Sequence, residues 1–412
     1  MQESIILLSG WMVVAVKFVI IPLLVWCLLH GLVSIRLLKR LKPSDDSSVD
    51  ALGAVQDVSI LVPARNEEES IRECLVSLAT QRPPVREIIL LDDRSTDRTA
   101  EIARELGFCE EEGSRLRLIR GAELPEGWVG KNWACHQLSR ASDPQCGHLL
   151  FTDADTLHGP GCVAAALAHS RSVRADLLSL WPDQITGTWS EKFIIPLGYL
   201  LFMSFQPFLV LAWLQADPNR AQRWGFDRKR LAALGAANGQ FLLFRRTAYN
   251  ALGGHEALRD HLVEDIAFGR RVASRTGEGM RLVNADGINL LKCRMYTDFN
   301  GVWEGFSKNL RPVFEESPQS FVLFGIVIFS LFLLPFLMLL WIPSAGIAIG
   351  LIWLTRFVLT LRFRTSWFGF FAHPFAIALA LLIALNSWRL CLRHGIVWKG
   401  RVYSGATRSA LD

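Results

Sequence analysis

Two long stretches of this chain carry almost no charge, and between them lies nearly everything polar in it. The first covers residues 5–38, with no charged side chain from 18 to 35. Extended slightly at either end, that core reaches the ~20 apolar residues an α-helix needs to cross a bilayer. Lys17 can reach outward from its end. No small-residue cleavage site comes after it, so the segment reads as a retained anchor over residues 1–42 rather than a removed signal peptide. Arg36, Lys39, Arg40 and Lys42 come next, and the positive-inside rule places the polar region beyond them in the cytoplasm. Residues 44–48, Ser-Asp-Asp-Ser-Ser, read as a polar linker.

The second apolar stretch covers residues 319–391. Residues 321–341 and 368–390 are good spans, whereas 342–361 is weaker because Arg356 interrupts it. A basic tail occupies 392–412, with Arg393, Lys399, Arg401 and Arg408. Three crossings put that tail outside and two put it inside, and the sequence leaves both open. A third uncharged run, residues 193–214, contains Pro196 and Pro207, which argue against one straight spanning helix. A crossing there would strand carboxylates on opposite membrane faces, so the run is expected to lie at the interface or re-enter, with a buried helix pair as the alternative.

The net charge of +5 comes from dispersed arginines with no basic stripe, so no nucleic-acid partner is expected. A mild basic balance in an apolar chain suits an anionic leaflet better. The eight cysteines contain no CxxC pair, which argues against a disulfide framework or a zinc site and for reduced or lipid-buried thiols.

Between the apolar ends, residues 56–315 alternate strand and helix. Strands are expected at 58–62, 87–91 and 148–152, with helices at about 68–79 and 96–106. That alternation predicts an α/β domain with a parallel sheet covered by helices. In such sheets ligands sit at the carboxyl ends of the strands. Three acidic clusters fall at such places: Asp92 with Asp93, Asp153 with Asp155, and Glu264 with Asp265, the last opening a helix. Burying paired carboxylates without a partner is costly, and a hard cation is the natural partner. An Asp-x-Asp after a strand can hold Mg2+ or Mn2+ through oxygen while substrate phosphates complete the shell.

Residues 58–68 (VSILVPARNEE), 91–97 (LDDRSTD) and 152–155 (TDAD) together resemble the family-2 glycosyltransferases of the GT-A fold. The resemblance implies a GT-A nucleotide-sugar-binding domain with a mostly parallel sheet over residues 56–315. It implies that Pro63, Arg65, Glu67, Asp92 and Asp93 cradle the nucleoside, and that Asp153 and Asp155 bind metal and diphosphate, with Asp155 the direct ligand. Residues 124–133 (LPEGWVGKNW) and 398–403 (WKGRVY) are similar to segments of the hopanoid- and carotenoid-associated transferases. Lys131 is then expected on a flexible loop, approaching phosphate as a point charge. Residues 238–245 (NGQFLLFR) resemble the acceptor-side strand, with Gly239 and Gln240 at the substrate, and 261–269 (HLVEDIAFG) resemble the Glu-Asp motif. By that similarity Glu264 contacts substrate and Asp265 is the general base that an acceptor hydroxyl requires. Residues 307–311 (SKNLR) stand where relatives carry Gln-x-x-Arg-Trp, which argues against a processive polymer synthase.

The expectation is therefore a multi-pass enzyme of the cell inner (plasma) membrane with its catalytic domain in the cytoplasm. Its partners are a nucleotide-sugar donor and a membrane lipid acceptor, a hopanoid or carotenoid hydroxyl. A polyprenyl phosphate acceptor would need a cationic patch, for which Arg245, Arg246, Arg270 and Arg271 are candidates. A non-catalytic membrane scaffold is the third alternative.

Overall fold

The computed structural model describes residues 10–43, 57–82, 85–314, 317–393, 396–398 and 401–403. The linker at 44–48, and Lys399 and Arg408 of the tail, lie outside the described residues. Ten strands build the catalytic region: Val58–Ala64 (β1), Glu87–Asp92 (β2), Leu116–Arg120 (β3), His148–Thr152 (β4), Thr156–His158 (β5), Leu177–Trp181 (β6), Asp183–Gln184 (β7), Phe241–Arg245 (β8), Leu282–Asp286 (β9) and Leu291–Cys293 (β10). Seven form one sheet in the order β3-β2-β1-β4-β8-β6-β9, and β5-β10-β7 form a smaller one. In the large sheet β8 runs antiparallel to β4 and β6, and the other pairings are parallel.

The apolar runs explain this layering. β2 and β4 are buried at every residue, as strands covered on both faces are. Successive side chains point to opposite faces. Ile60 and Val62 meet the helices Ile71–Ala79 and Cys162–Ser172 on one side. Leu61, Leu149 and Phe151 meet the helices Gly130–Ala141 and Glu264–Ser274 on the other. Because β1, β2 and β4 are parallel, their carboxyl ends share one edge. β8 runs the other way, so Gly239 and Gln240 reach that same edge, while Arg245 pairs with His148 at the far end of β4.

The apolar ends pack into a second body around one buried cluster. Among the described residues three helices are long and apolar enough to cross a membrane, Gly10–Leu37, Ala345–Phe363 and His373–Leu392, or up to five if each of two bent pairs is one span. One expectation changes here. Residues 321–341 are broken, because the helix Pro318–Phe332 stops and Leu334–Met338 restarts at Pro335. The weaker stretch holds a long helix, because Arg356 is buried and donates to the carbonyls of Pro196 (3.2 Å) and Gly369 (3.0 Å). A guanidinium with carbonyl partners can be enclosed at far lower cost than a bare one.

Residues 193–214 lie in two helices, Trp189–Phe205 and Phe208–Gln215, bent by 52° where Pro207 follows Gln206. Pro196 has no N–H to offer the carbonyl of Lys192. Gly369 packs against that carbonyl so closely that any Cβ there would collide with it.

The two bodies are joined at Asp286, the last residue of β9, which is fully buried. Its carboxylate accepts from Arg40 (2.8 Å) and from Arg362. Its backbone pairs with the strand leaving the first anchor, through Leu41 N to Asp286 O and Asp286 N to Lys39 O, both 2.9 Å.

Candidate active site

The sheet edge gathers most of the expected residues from separate turns. Arg65 comes directly after β1, and its guanidinium donates to the carbonyl of Asp93 (2.6 Å), fixing the turns after β1 and β2 against each other. Asn66 holds a left-handed backbone at φ 52°, and its side chain accepts from Thr96 N at 2.9 Å. Glu67 receives Ser70 Oγ (3.1 Å) and donates its own N–H to Thr99 Oγ1 (2.8 Å). Asp92 accepts from Ser95 N (3.1 Å), an Asx turn that closes the loop after β2. Pro63 lies within β1, in register with Leu91.

At the end of β4, Asp153 and Asp155 flank buried Ala154. Burial, then the charges of Asp153 and Glu67, push the Asp155 carboxyl up to about 7, with Lys131 pulling the other way. Such mutual repulsion in an enclosed place is what a bound cation relieves. Among the described residues no three His, Cys, Asp or Glu side chains form a metal-holding group. Mg2+ or Mn2+ take one or two carboxylates and complete their shell with substrate phosphate and water, and the Asp153 and Asp155 oxygens are donors of that kind. Asp155 and Asp153 are the residues that would hold it.

The carboxylate of Asp265 is anchored more tightly. Asp265 accepts from Gly239 N and from Ile266 N, each at 2.8 Å. A Cβ at Gly239 would come within 3.1 Å of Asp265 Oδ2, so glycine there permits the approach. Burial and the neighbouring Glu264 charge push Asp265 up to about 6. Glu264 moves the other way: burial pushes its carboxyl up, but the charge and hydrogen bond of Lys131, with its own backbone N–H and the His255 ring, together hold it below the usual range.

Three sequence expectations are corrected. Lys131 is not on a flexible loop; it lies in the first turn of the helix Gly130–Ala141, with Nζ 2.7 Å from Asp153 and 2.8 Å from Glu264. Gln240 turns its side chain inward, donating to Cys293 Sγ and accepting from Gln184 at 2.7 Å. The proposed cationic patch does not assemble: Arg245 pairs with Asp176, Arg246 holds the carbonyls of Cys146 and Asp143, and Arg270 donates to Val313 O. Residues 307–311 pack on the last helix, where Asn386 reaches Ser307 and Ser387 receives Arg311 N, both at 2.9 Å.

The sequence missed Asn132, Cys293 and Tyr296. Asn132 ties its helix to the loop before Glu264 through the carbonyls of Leu258 (2.5 Å) and His261 (2.9 Å). Its signal was the Gly-Lys-Asn run itself. Burial and the charge of Asp155 push the Tyr296 hydroxyl up, so it stays a neutral donor beside the carboxylates. Cys293 and Tyr296 arrive through β10 and the turn after it, which no local motif marks.

Residues 59–206 match the profile described as Glycosyl transferase family 2, and residues 220–409 match Glycosyl transferase family 21. A curated relative, 4,4'-diaponeurosporenoate glycosyltransferase of Staphylococcus aureus (strain USA300), is 26% identical over 362 residues, covering 84% of this chain and 88% of its own. A solved mannosyltransferase from Pyrobaculum calidifontis, in complex with GDP-Man and Mn2+, is 17% identical with a TM-score of 0.47, covering 91% of this chain and 99% of its own. These matches make the chain a glycosyltransferase, and the family 2 profile covers the strand ends that carry Asp92, Asp93, Asp153 and Asp155.

Proposed function

We propose that this glycosyltransferase moves a sugar from a nucleotide-sugar, a UDP-hexose, to a terpenoid lipid presented by the membrane, inverting the anomeric centre. One observation carries the reading. The metal-type pair Asp153 and Asp155 and the base-type Asp265 meet at one sheet edge, because antiparallel β8 returns Gly239 beside the end of β4. Arg65, Glu67, Asp92 and Asp93 border the nucleoside side of that edge.

A Mg2+ or Mn2+ ion on Asp155 and Asp153 would stabilise charge developing on the departing diphosphate. As the acceptor oxygen bonds to the anomeric carbon, the bond from that carbon to the diphosphate breaks. The electron pair leaves with the diphosphate and the acceptor proton passes to Asp265. One displacement without a covalent intermediate inverts the centre. Two N–H donors hold Asp265 in place, so its orientation is set before the acceptor arrives.

The name of the Staphylococcus relative favours a carotenoid acceptor over a hopanoid one. It also separates two chemistries. The ending of diaponeurosporenoate denotes a carboxylate, which arrives deprotonated, whereas a hydroxyl acceptor needs the base. The dispersal of Arg245, Arg246 and Arg270 onto structural partners weighs against a polyprenyl phosphate. Multi-pass placement in the cell inner membrane, with the domain on the cytoplasmic face, is supported by the basic cluster at Arg36–Lys42 and the apolar helices. Exposed Leu209, Val210, Trp213 and Trp224 offer further surface to lipid.

The test uses full-length protein in proteoliposomes with UDP-hexose, with and without a carotenoid extract. A lipid-soluble product heavier by one hexose, of inverted configuration and abolished by chelation, is expected. Equal UDP-sugar consumption without the extract overturns the acceptor, and full activity after chelation overturns the metal.

A further inference from the structure

We infer that Lys131 is an internal counter-ion coupling the diphosphate-side carboxylates to the acceptor-side ones, and that it acts on them rather than on a substrate phosphate. The inference rests on the metal reading above. An ammonium has three donors. Two of them are committed here, to Asp153 Oδ1 at 2.7 Å and Glu264 Oε1 at 2.8 Å. Those carboxylates come from different elements, the end of β4 and the first turn of the helix Glu264–Ser274. They also fall in different family matches, residues 59–206 and 220–409, so Lys131 spans the seam between them.

The bridge is built, not incidental. On one side of Lys131, Val129 N donates to Arg259 O (2.6 Å). On the other, buried Asn132 holds the carbonyls of Leu258 and His261. Both flanking residues are therefore fastened to the loop that leads into Glu264. The Glu264 side chain is only 7% exposed, and leaving such a charge unpaired is strongly unfavourable. Gly130 begins the helix and Lys131 comes next within its first turn, so the side chain starts from a fixed backbone.

Lys131 then has two effects of opposite sign. As the cation among Glu67, Asp153, Asp155, Glu264 and Asp265, it repels a metal ion and weakens its binding. By holding Glu264, it also keeps the start of the helix, and Asp265 with it, in the geometry that transfer needs. A phosphate ligand would do neither.

The experiment measures Mn2+ binding to full-length protein in nanodiscs without donor, by the electron paramagnetic resonance of free Mn2+, together with steady-state kinetics. For Lys131→Met, Mn2+ should bind about tenfold tighter, as expected when one nearby unit charge is removed. In the same variant kcat should fall about a hundredfold at saturating metal while the donor KM stays close to wild type. Lys131→Arg should keep the wild-type metal affinity and recover part of kcat. A raised donor KM with unchanged or weaker Mn2+ binding overturns the inference in favour of a phosphate ligand. If Lys131→Met loses its cooperative melt, Glu264→Gln replaces it. That variant leaves Lys131 with one anion fewer, so Mn2+ should bind several-fold more weakly, and unchanged binding overturns the inference. Wild-type protein that binds no Mn2+ overturns the metal reading and this inference together, whereas normal binding insensitive to both variants overturns this inference alone.

Discussion

At the sheet edge, the donor-side turns close over short distances: Asp92 receives Ser95 three residues on, and Glu67 receives Ser70. The body of apolar helices is assembled over long ones. His30 reaches the carbonyl of Met203 across 173 residues, and Arg40 reaches Arg362 across 322. The first region draws its shape from hydrogen bonds that span three residues within a turn and about thirty between neighbouring turns at the ends of parallel strands. The second takes its shape from buried charges and close approaches that exist only when distant helices meet. Substitutions at the edge should therefore change chemistry and spare stability, and substitutions in the helical body should do the reverse.

The largest effect is expected at Asp155. Asp155→Asn should lower transfer by about a thousandfold or more and remove Mn2+ binding, with an unchanged or higher melting temperature, because a repelling charge is gone. In wild type, Mn2+ binding should weaken as pH falls through about 7, since the cation needs the deprotonated carboxyl, and burial, then Asp153 and Glu67, raise its pKa against Lys131. Retained Mn2+ binding in Asp155→Asn would break the comparison at its strongest point.

Asp265→Asn comes next. With a hydroxyl acceptor, kcat should drop about 10²–10⁴-fold while Mn2+ binding persists. The base must be deprotonated, so wild-type kcat should rise with pH up to about 6 and level off above it. Burial and then Glu264 raise that value, and Lys131 opposes them. A loss below tenfold would identify a carboxylate acceptor instead.

In the helical body, Asp286→Ala should cost about 3–5 kcal/mol in unfolding, because Arg40 and Arg362 lose the carboxylate that pairs them. The smallest effect is expected at Gly369. Gly369→Ala should cost about 1–3 kcal/mol, as its methyl displaces the Lys192 carbonyl, with Mn2+ affinity unchanged. An altered metal affinity in either variant would show that the two regions are not separable in this way.

The donor-side acids were legible because each comes directly after an apolar strand, and strands buried on both faces announce themselves as continuous apolar runs. Asp265 was legible for a similar reason, as the acid opening a helix. The bend in residues 193–214 could be anticipated from Pro207, which cannot continue a helical ladder. Of the later spans, only residues 321–341 depart from expectation, being broken at Leu333, while the weaker span through Arg356 forms because Pro196 and Gly369 supply carbonyls that hydropathy cannot register. Arg245 and Arg246 looked like a patch because they are adjacent in the chain, yet β8 carries them to the opposite end of the sheet.

By itself the sequence determined the alternating α/β core, the apolar ends and the identity of the acids at the strand termini, since periodicity, charge and turn chemistry act over a few residues. Tertiary structure alone decided that Lys131 faces carboxylates, that Gln240 turns inward, and that Asp286 clasps the anchor to the sheet. Each of those depends on where a second chain segment, more than a hundred residues away in two of the cases, brings an opposite charge or, for Gln240, a thiol and an amide. Electrostatic partnership in an enclosed site is a property of distance in space, which spacing along a chain does not encode.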